Sequence, residues 1–256
     1  MEDRRKYFDN LVRTSEKYFV PYLSGYTGTG ADTKILEIGC GEGGNLLPFA
    51  RMGCDVTGVD LSESKIEHAI RFFREERSNG TFLACDIFKA DLPECSFDMI
   101  ICHDVIEHIA DKAGFLSGIQ RLLKPEGIAF IAFPAWQMPF GGHQQMCRNK
   151  RLSRLPFFHL LPAPWYRRIL TKAGESPEAI KEFMEIKRTG TTVELFEKLI
   201  RETGLIRLDR HLYFINPHYE AKFGLKPRTL NPVISAIPWL RNFFSTSCFY
   251  ILKKMQ

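Results

Sequence analysis

Three groups of residues have the most chemistry to offer. The first is Ile35-Leu36-Glu37-Ile38-Gly39-Cys40-Gly41-Glu42-Gly43-Gly44, an apolar run that ends in a glycine turn. Glycines at a strand end permit positive φ and let a ligand approach bare backbone. Where such a turn opens a helix, its N–H groups also face the ligand. The second group is a pair of carboxylates closing later apolar runs, Asp60 and Asp86, each followed by an aliphatic residue, Leu61 and Ile87. A carboxylate about 20 residues beyond such glycines can accept both ribose hydroxyls of an adenosine. The third group is His103, Asp104, Glu107 and His108, with His143 in Gly141-Gly142-His143. Imidazoles take protons from oxygen nucleophiles, so His143 and His108 are the candidate bases.

These groups need a scaffold that brings strand ends together. The chain alternates strand and helix patterns as such a scaffold requires. Strands are expected at 34–38, 55–59, 81–85, 97–102 and 128–133, with helices at 45–52, 62–77 and 105–123. A helix over 1–23 precedes them, and Ser62 is placed as an N-cap with Ile66, Ile70 and Phe73 on one face. The alternation specifies an α/β fold, a doubly wound and mostly parallel sheet covered on both faces. The rhythm breaks at Pro134. Residues 134–190, rich in Pro, Phe, Trp and Arg, read as an inserted cap. A helix at 191–203 follows, in which Phe196 and Leu199 read as core. Strand six is placed at 205–213, a second irregular insertion at about 216–244, and a seventh strand at 246–253. That last strand is expected to close the sheet as an antiparallel edge hairpin with strand six. The expected organisation is thus an N-terminal helix over the cofactor site (1–29), a Rossmann-like cofactor-binding core (30–133), the cap (134–190) and a C-terminal part of the core (191–256).

Gly39, Gly41 and Gly44 also spell G-x-G-x-x-G, so an NAD site is one reading. Glu37 argues against it, because an acid beneath the glycines suits an ammonium group better than a pyrophosphate. Taken together with Cys85-Asp86-Ile87, the 97–103 strand end and Leu122-Leu123-Lys124-Pro125-Glu126-Gly127, the motifs over roughly 30–135 resemble the class I S-adenosylmethionine-dependent methyltransferases. The resemblance implies a seven-stranded sheet with an antiparallel last strand, and S-adenosylmethionine as cofactor. It implies that Gly39, Cys40, Gly41 and Glu42 line the methionine and ribose, and that Asp60 holds the ribose. Leu61, Asp86 and Ile87 would flank the adenine, and His103 would close the site. Glu37 would act on the ammonium through the glycine backbone or a water. The stretch from Asp104 to His108 resembles an E-x-x-E-H pattern that serves a metal in ubiquinone-biosynthesis O-methyltransferases and small-RNA methyltransferases. Its three polar groups would share a helix face, but Asp replaces the first Glu, and the expectation adopted is helix capping without a metal.

Composition narrows the partners. The 256 residues carry a net charge of +5, split unevenly. Residues 1–133 hold 15 Lys+Arg and 21 Asp+Glu, whereas 134–256 hold 20 and 9. A basic second half suits an anionic small-molecule acceptor, or peripheral contact with a membrane surface. The basic and aromatic alternation over 148–172 keeps RNA binding by a non-catalytic module as an alternative, the less favoured one. No apolar run reaches the roughly 18 residues of a spanning helix, and no signal-peptide core follows the N-terminus. Seven scattered cysteines without a C-x-x-C pair read as reduced thiols in the cytoplasm. The expected activity is methyl transfer to an oxygen of a small molecule, a quinone, sugar or lipid-linked intermediate.

Overall fold

The computed structural model describes residues 2–254. Met1, Met255 and Gln256, which fall within the expected outer segments, lie outside the described residues. The strands are β1 (Lys34–Ile38), β2 (Asp55–Asp60), β3 (Thr81–Ala84), β4 (Phe97–His103), β5 (Leu123–Phe133), β6 (Leu205–Ile215), β7 (Arg228–Thr229) and β8 (Ser247–Lys254). They form one sheet in the order β3-β2-β1-β4-β5-β8-β6-β7. The pairs from β3 through β5 are parallel, and β8 runs antiparallel to both β5 and β6. The helices are α1 (Glu2–Thr14), α2 (Val20–Leu23), α3 (Leu47–Arg51), α4 (Glu63–Glu75), α5 (Lys112–Leu122), α6 (Ala163–Lys172), α7 (Pro177–Thr189), α8 (Val193–Glu202), α9 (His218–Phe223) and α10 (Pro232–Ala236).

Alternation along the central strand explains the two layers. In β4, Ile100 and Cys102 join a core with Phe115, Ile119, Phe196 and Ile200 of α5 and α8. Met99 and Ile101 join the opposite core, with Phe8, Leu47, Phe72 and Phe73 of α1, α3 and α4. Successive side chains point to opposite faces, so a continuous apolar run is buried twice over. The segment expected as a cap has a small core of its own, built on Cys147, Phe158, Tyr166, Leu170 and Phe183.

The structure corrects several expectations. β8 is not an edge strand but lies between β5 and β6. Its run from Cys248 to Leu252 is fully buried, as suits a strand paired along both borders, whereas β6 leaves Ile206, Arg207 and Leu208 exposed. The seven expected strands are joined by a two-residue eighth, β7, inside the second insertion, which also forms α9 and α10. The expected helix at 105–123 starts only at Lys112. Asp111 caps it, accepting from Gly114 N at 2.9 Å. Before it lie Asp104 with φ +55° and a single 3-10 turn, Ile106–His108. Ile70 is exposed, and the buried face of α4 is Ile66, Ala69, Phe72 and Phe73. Ser62 sits at the N-cap position with extended backbone, as expected, but its side chain makes no cap bond; its N–H goes to Asp60 Oδ1 at 2.8 Å. The 45–52 helix shortens to α3. The N-terminal helix reaches Leu23 as expected, passing through Pro21, but it widens into a π turn over Ser15–Phe19 before continuing as α2. That wide turn sends Ser15 Oγ onto Asn45 O at 2.7 Å and Phe19 onto His103, with ring centroids 5.2 Å apart.

Candidate functional site: a cleft at the strand ends

The carboxyl ends of β1, β2 and β4 and the loop after β3 surround a cleft of about 300 Å³. Ile38, Gly39, Asp60, Leu61, Asp86, Ile87, Asp104, Val105 and His108 line it. Gly39 has φ +73°, and a Cβ there would overlap Val105 Cγ2. Gly41 has φ +53° with open space where its Cβ would lie. One glycine therefore packs the turn and the next leaves room beside it. Asp60 Oδ2 accepts the Gly41 N–H at 3.0 Å, so the carboxylate ties the turn to the end of β2. A carboxylate has about four acceptor positions. Two are taken by Gly41 and Ser62, and two remain for a pair of hydroxyls. Leu61 is 78% exposed despite its apolar side chain, as a wall awaiting a flat apolar face would be. Asp86 Oδ1 holds the Phe88 N–H at 3.0 Å and steadies the loop beyond β3. These groups fit a nucleoside bearing a short charged chain.

Other expected site residues sit around the cleft rather than in its lining. Glu37 is buried and accepts from Asn45 Nδ2 at 2.7 Å, while its second oxygen has no partner. Burial pushes its carboxyl up to about 8, although the Asn45 bond opposes this. Its direct partner is thus a side chain, not the glycine backbone. Glu42 is buried under an ion pair with Arg4 at 2.8 Å. Cys40 packs inward, where a Cβ on Gly58 would press on its sulfur. His103 packs against Phe19, and its Nε2 is buried without a hydrogen-bond partner, 3.8 Å from Asp104 Oδ2.

The two expected bases do come together. The His108 and His143 rings meet edge to face, with centroids 4.8 Å apart. Glu107, His108 and His143 offer ligand atoms within 4.8 Å of one another. Both Glu107 oxygens are buried and unpartnered. Burial, with help from Asp104, holds the Glu107 carboxyl well above its ordinary range. Burial brings His108 down to about 4, and it lowers His143 as well. Asp104 does not share a helix face with them, because its left-handed backbone and the 3-10 turn break the spacing that reading assumed.

A further wall was not legible in the sequence. Tyr7 and Thr14 of α1 meet His218 of α9, with the Tyr7 and His218 rings 6.1 Å apart and Thr14 Oγ1 3.0 Å from His218 Nδ1. Burial and the charges of Asp104, Glu42 and Glu37 raise the Tyr7 phenol, in that order. The only available hint is Asn216-Pro217-His218-Tyr219, a turn signal followed by two polar rings.

A sheet of this order with its cleft at a topological switch defines a nucleotide-type binding domain. A family model described as a methyltransferase domain matches residues 29–201, and the chain belongs to that family. The ubiquinone biosynthesis O-methyltransferase of Bartonella bacilliformis is 34% identical over 124 residues, 46% of this chain and 50% of that protein. The chain spans about half the length of the curated relatives it matches. Among solved structures, a putative sarcosine dimethylglycine methyltransferase from Galdieria sulphuraria aligns with a TM-score of 0.62 at 16% identity, covering 93% of this chain and 84% of that one. Phosphoethanolamine N-methyltransferase 2 of Haemonchus contortus, solved with S-adenosyl-L-methionine, aligns at 0.59 and 18% identity, covering 93% and 52%. The resemblance drawn from the glycine turn and the two carboxylates is borne out for family and fold.

Proposed function

We propose that the chain transfers a methyl group from S-adenosylmethionine to a hydroxyl oxygen of a small molecule. The observation that carries this reading is continuity: one cleft holds Asp60, Leu61, Asp86 and Ile87 together with Asp104 and His108. Asp60 would accept the ribose hydroxyls, and Leu61 and Ile87 would cover the adenine beside Asp86. Gly39, Cys40, Gly41 and Glu42 would shape the methionine end, with Glu37 below it, a buried carboxyl that would give up its proton once the ammonium is bound. The sulfonium methyl is already activated. The protein's task is to align three atoms, exclude water and find a destination for the hydroxyl proton. The name of the Bartonella relative supports oxygen as the methylated atom and a quinol-like acceptor.

Contrary to the expectation of no metal, Glu107, His108 and His143 fit a divalent cation. Two buried Glu107 oxygens without partners stand beside two imidazoles, a donor set of the kind that holds such a cation. These three residues would hold the cation, which supplies Lewis acidity toward an acceptor oxygen. We assign His108 and His143 to this role in preference to that of free bases.

The acceptor would be a small, anionic molecule rather than a nucleic acid. A groove of about 870 Å³ between α6 and α7, lined by Arg167, Lys181, Lys187 and Arg188 against Glu175 and Glu185, supports an anionic partner. Exposed Val233, Trp239 and Leu240 support peripheral contact with a membrane surface. Among the described residues no helix is long and apolar enough to cross a membrane. Seven free cysteines support a reducing, cytoplasmic setting.

Titration calorimetry with S-adenosylhomocysteine and with NADH tests the donor. Heat from the first alone is expected, and heat from NADH alone would overturn the reading. Calorimetry with Mg²⁺ and Mn²⁺ on wild type and Glu107→Gln tests the cation. At least tenfold weaker binding in the variant is expected, and equal binding would remove the assignment.

A further inference from the structure

The structure offers a different histidine for the acceptor's proton. Thr14 has one hydroxyl hydrogen, and it goes to Asn10 O at 2.8 Å, an oxygen that can only accept. The Thr14 hydroxyl therefore faces His218 Nδ1, 3.0 Å away, as an acceptor. His218 Nδ1 must carry the hydrogen, which leaves the lone pair on Nε2. The tautomer is thus set by a backbone carbonyl four residues upstream of Thr14.

The position of α9 is fixed with equal care. Glu220 pairs with Lys17 at 2.9 Å and accepts from the Tyr18 hydroxyl. Asn216 Oδ1 takes the His218 N–H at 2.9 Å. Glu220 thereby pins the helix to the N-terminal segment beyond the imidazole, while Asn216 ties down the first turn of α9 itself. Asp104, which lines the donor cleft, lies close enough for its charge to act on both His218 and Tyr219. Tyr7, in ring contact with His218, feels Asp104, Glu42 and Glu37. Ser15, next to Thr14, bonds Asn45 O just past the glycine turn at 2.7 Å, and Phe19 packs on His103 at the end of β4, so the segment that holds His218 runs between the two.

We propose that His218 Nε2 is the base that accepts the acceptor's hydroxyl proton, and that Thr14 is the positioning residue that fixes its tautomer. The proposal rests on the methyltransferase reading above and assigns that site a residue outside the Glu107, His108 and His143 cluster. In the step, the acceptor O–H bond breaks and its proton moves to Nε2. An oxygen lone pair bonds to the methyl carbon as the carbon–sulfur bond breaks. The electron pair of that bond stays on sulfur, giving the neutral thioether. The imidazolium then loses its proton to solvent. Burial and the neighbouring His103 bring His218 down to about 4, against a pull upward from Asp104 and a further lowering by Lys222. Tyr7 and Tyr219 complete the titratable groups around it. His218 is therefore neutral, with its lone pair free, at pH 7.

Two measurements test this. The first is nitrogen-15 NMR of the histidine rings in the protein loaded with S-adenosylhomocysteine. At pH 7 wild type should show Nδ1 protonated and Nε2 bare for His218, and Thr14→Val should show a tautomer mixture that Thr14→Ser does not. An Nε2–H tautomer in wild type would overturn the proposal. The second is methyl transfer to 4-nitrocatechol, followed by its absorbance. His218→Ala should lose roughly 10²–10⁴ in kcat with S-adenosylhomocysteine affinity unchanged, and added imidazole should restore part of the rate. A wild-type rate in His218→Ala would sink the assignment. A protein that binds no S-adenosylhomocysteine would instead refute the methyltransferase reading. If wild type binds it but leaves the catechol untouched, the acceptor class falls and the NMR result decides on His218.

Discussion

Asp60 is where the donor reading is most exposed to refutation. Its carboxylate spends two acceptor positions on Gly41 and Ser62, at 3.0 and 2.8 Å, and two remain for ribose. A hydrogen bond to a charged acceptor contributes about 1.5–3 kcal/mol, and each 1.4 kcal/mol is roughly tenfold in affinity. Losing one such bond costs about ten- to a hundredfold, and losing both costs more unless water substitutes. Asp60→Ala should therefore weaken S-adenosylhomocysteine binding at least tenfold in calorimetry. The same change strips two backbone N–H groups of their acceptor, so affinity could fall simply because the turn loosens. A thermodynamic cycle separates the two causes. The 2′,3′-dideoxy form of S-adenosylhomocysteine should bind wild type at least tenfold more weakly than the parent. To Asp60→Ala, both should bind nearly alike. If deleting the hydroxyls costs the same in variant and wild type, Asp60 does not hold the ribose, however much the variant weakens binding.

Three further outcomes follow from the packing and the buried charges. Gly39→Ala combines a positive φ with overlap on Val105, and should lower the thermal midpoint by several degrees in calorimetric unfolding while a Gly28→Ala control, with open space around its Cβ, does not. Phe196→Ala should cost about 3–5 kcal/mol in urea unfolding, because the ring is fully buried between Phe133 and Tyr250 at 4.8 and 4.7 Å. The Glu37 carboxyl is raised to about 8 in the fold, so the folded state holds a proton that the unfolded chain gives up near pH 4.5. Stability from this group is lost as pH rises between those values. Glu37→Gln should gain on wild type in urea midpoint between pH 5 and pH 8.5, and an unchanging gap would contradict the burial argument.

The parallel half of the fold was legible because its signals are local. Apolar runs of five or six residues closed by glycine or aspartate leave few other structures open, and β1, β2, β3 and β4 lie where those runs lie. Asp60, Leu61, Asp86 and Ile87 were legible for the same reason, since a residue at a strand's carboxyl end reaches the cleft by topology alone. Glu42 and His103 were placed at the right strand ends, yet their side chains turn to Arg4 and Phe19, partners that lie far away in sequence. The helix presumed after β4 failed because apolar periodicity ran unbroken through a left-handed aspartate and the true cap at Asp111. Burial could have placed β8: a strand without polar alternation suits the interior, whereas β6, with Arg207, Asp209, Arg210 and His211, borders only the two-residue β7 on its far side. The meeting of Thr14 with His218, across 204 positions, has no local signature at all.

The interior position of β8 also bears on how such a chain must assemble during synthesis. β8 leaves the ribosome after both of its neighbours and fills the gap between them. Until it arrives, the free borders of β5 and β6 remain open to the wrong partners, and closing so distant a contact is slow. Nascent molecules should therefore pass through a sticky, half-zipped stage and lean on chaperones until β8 slots home.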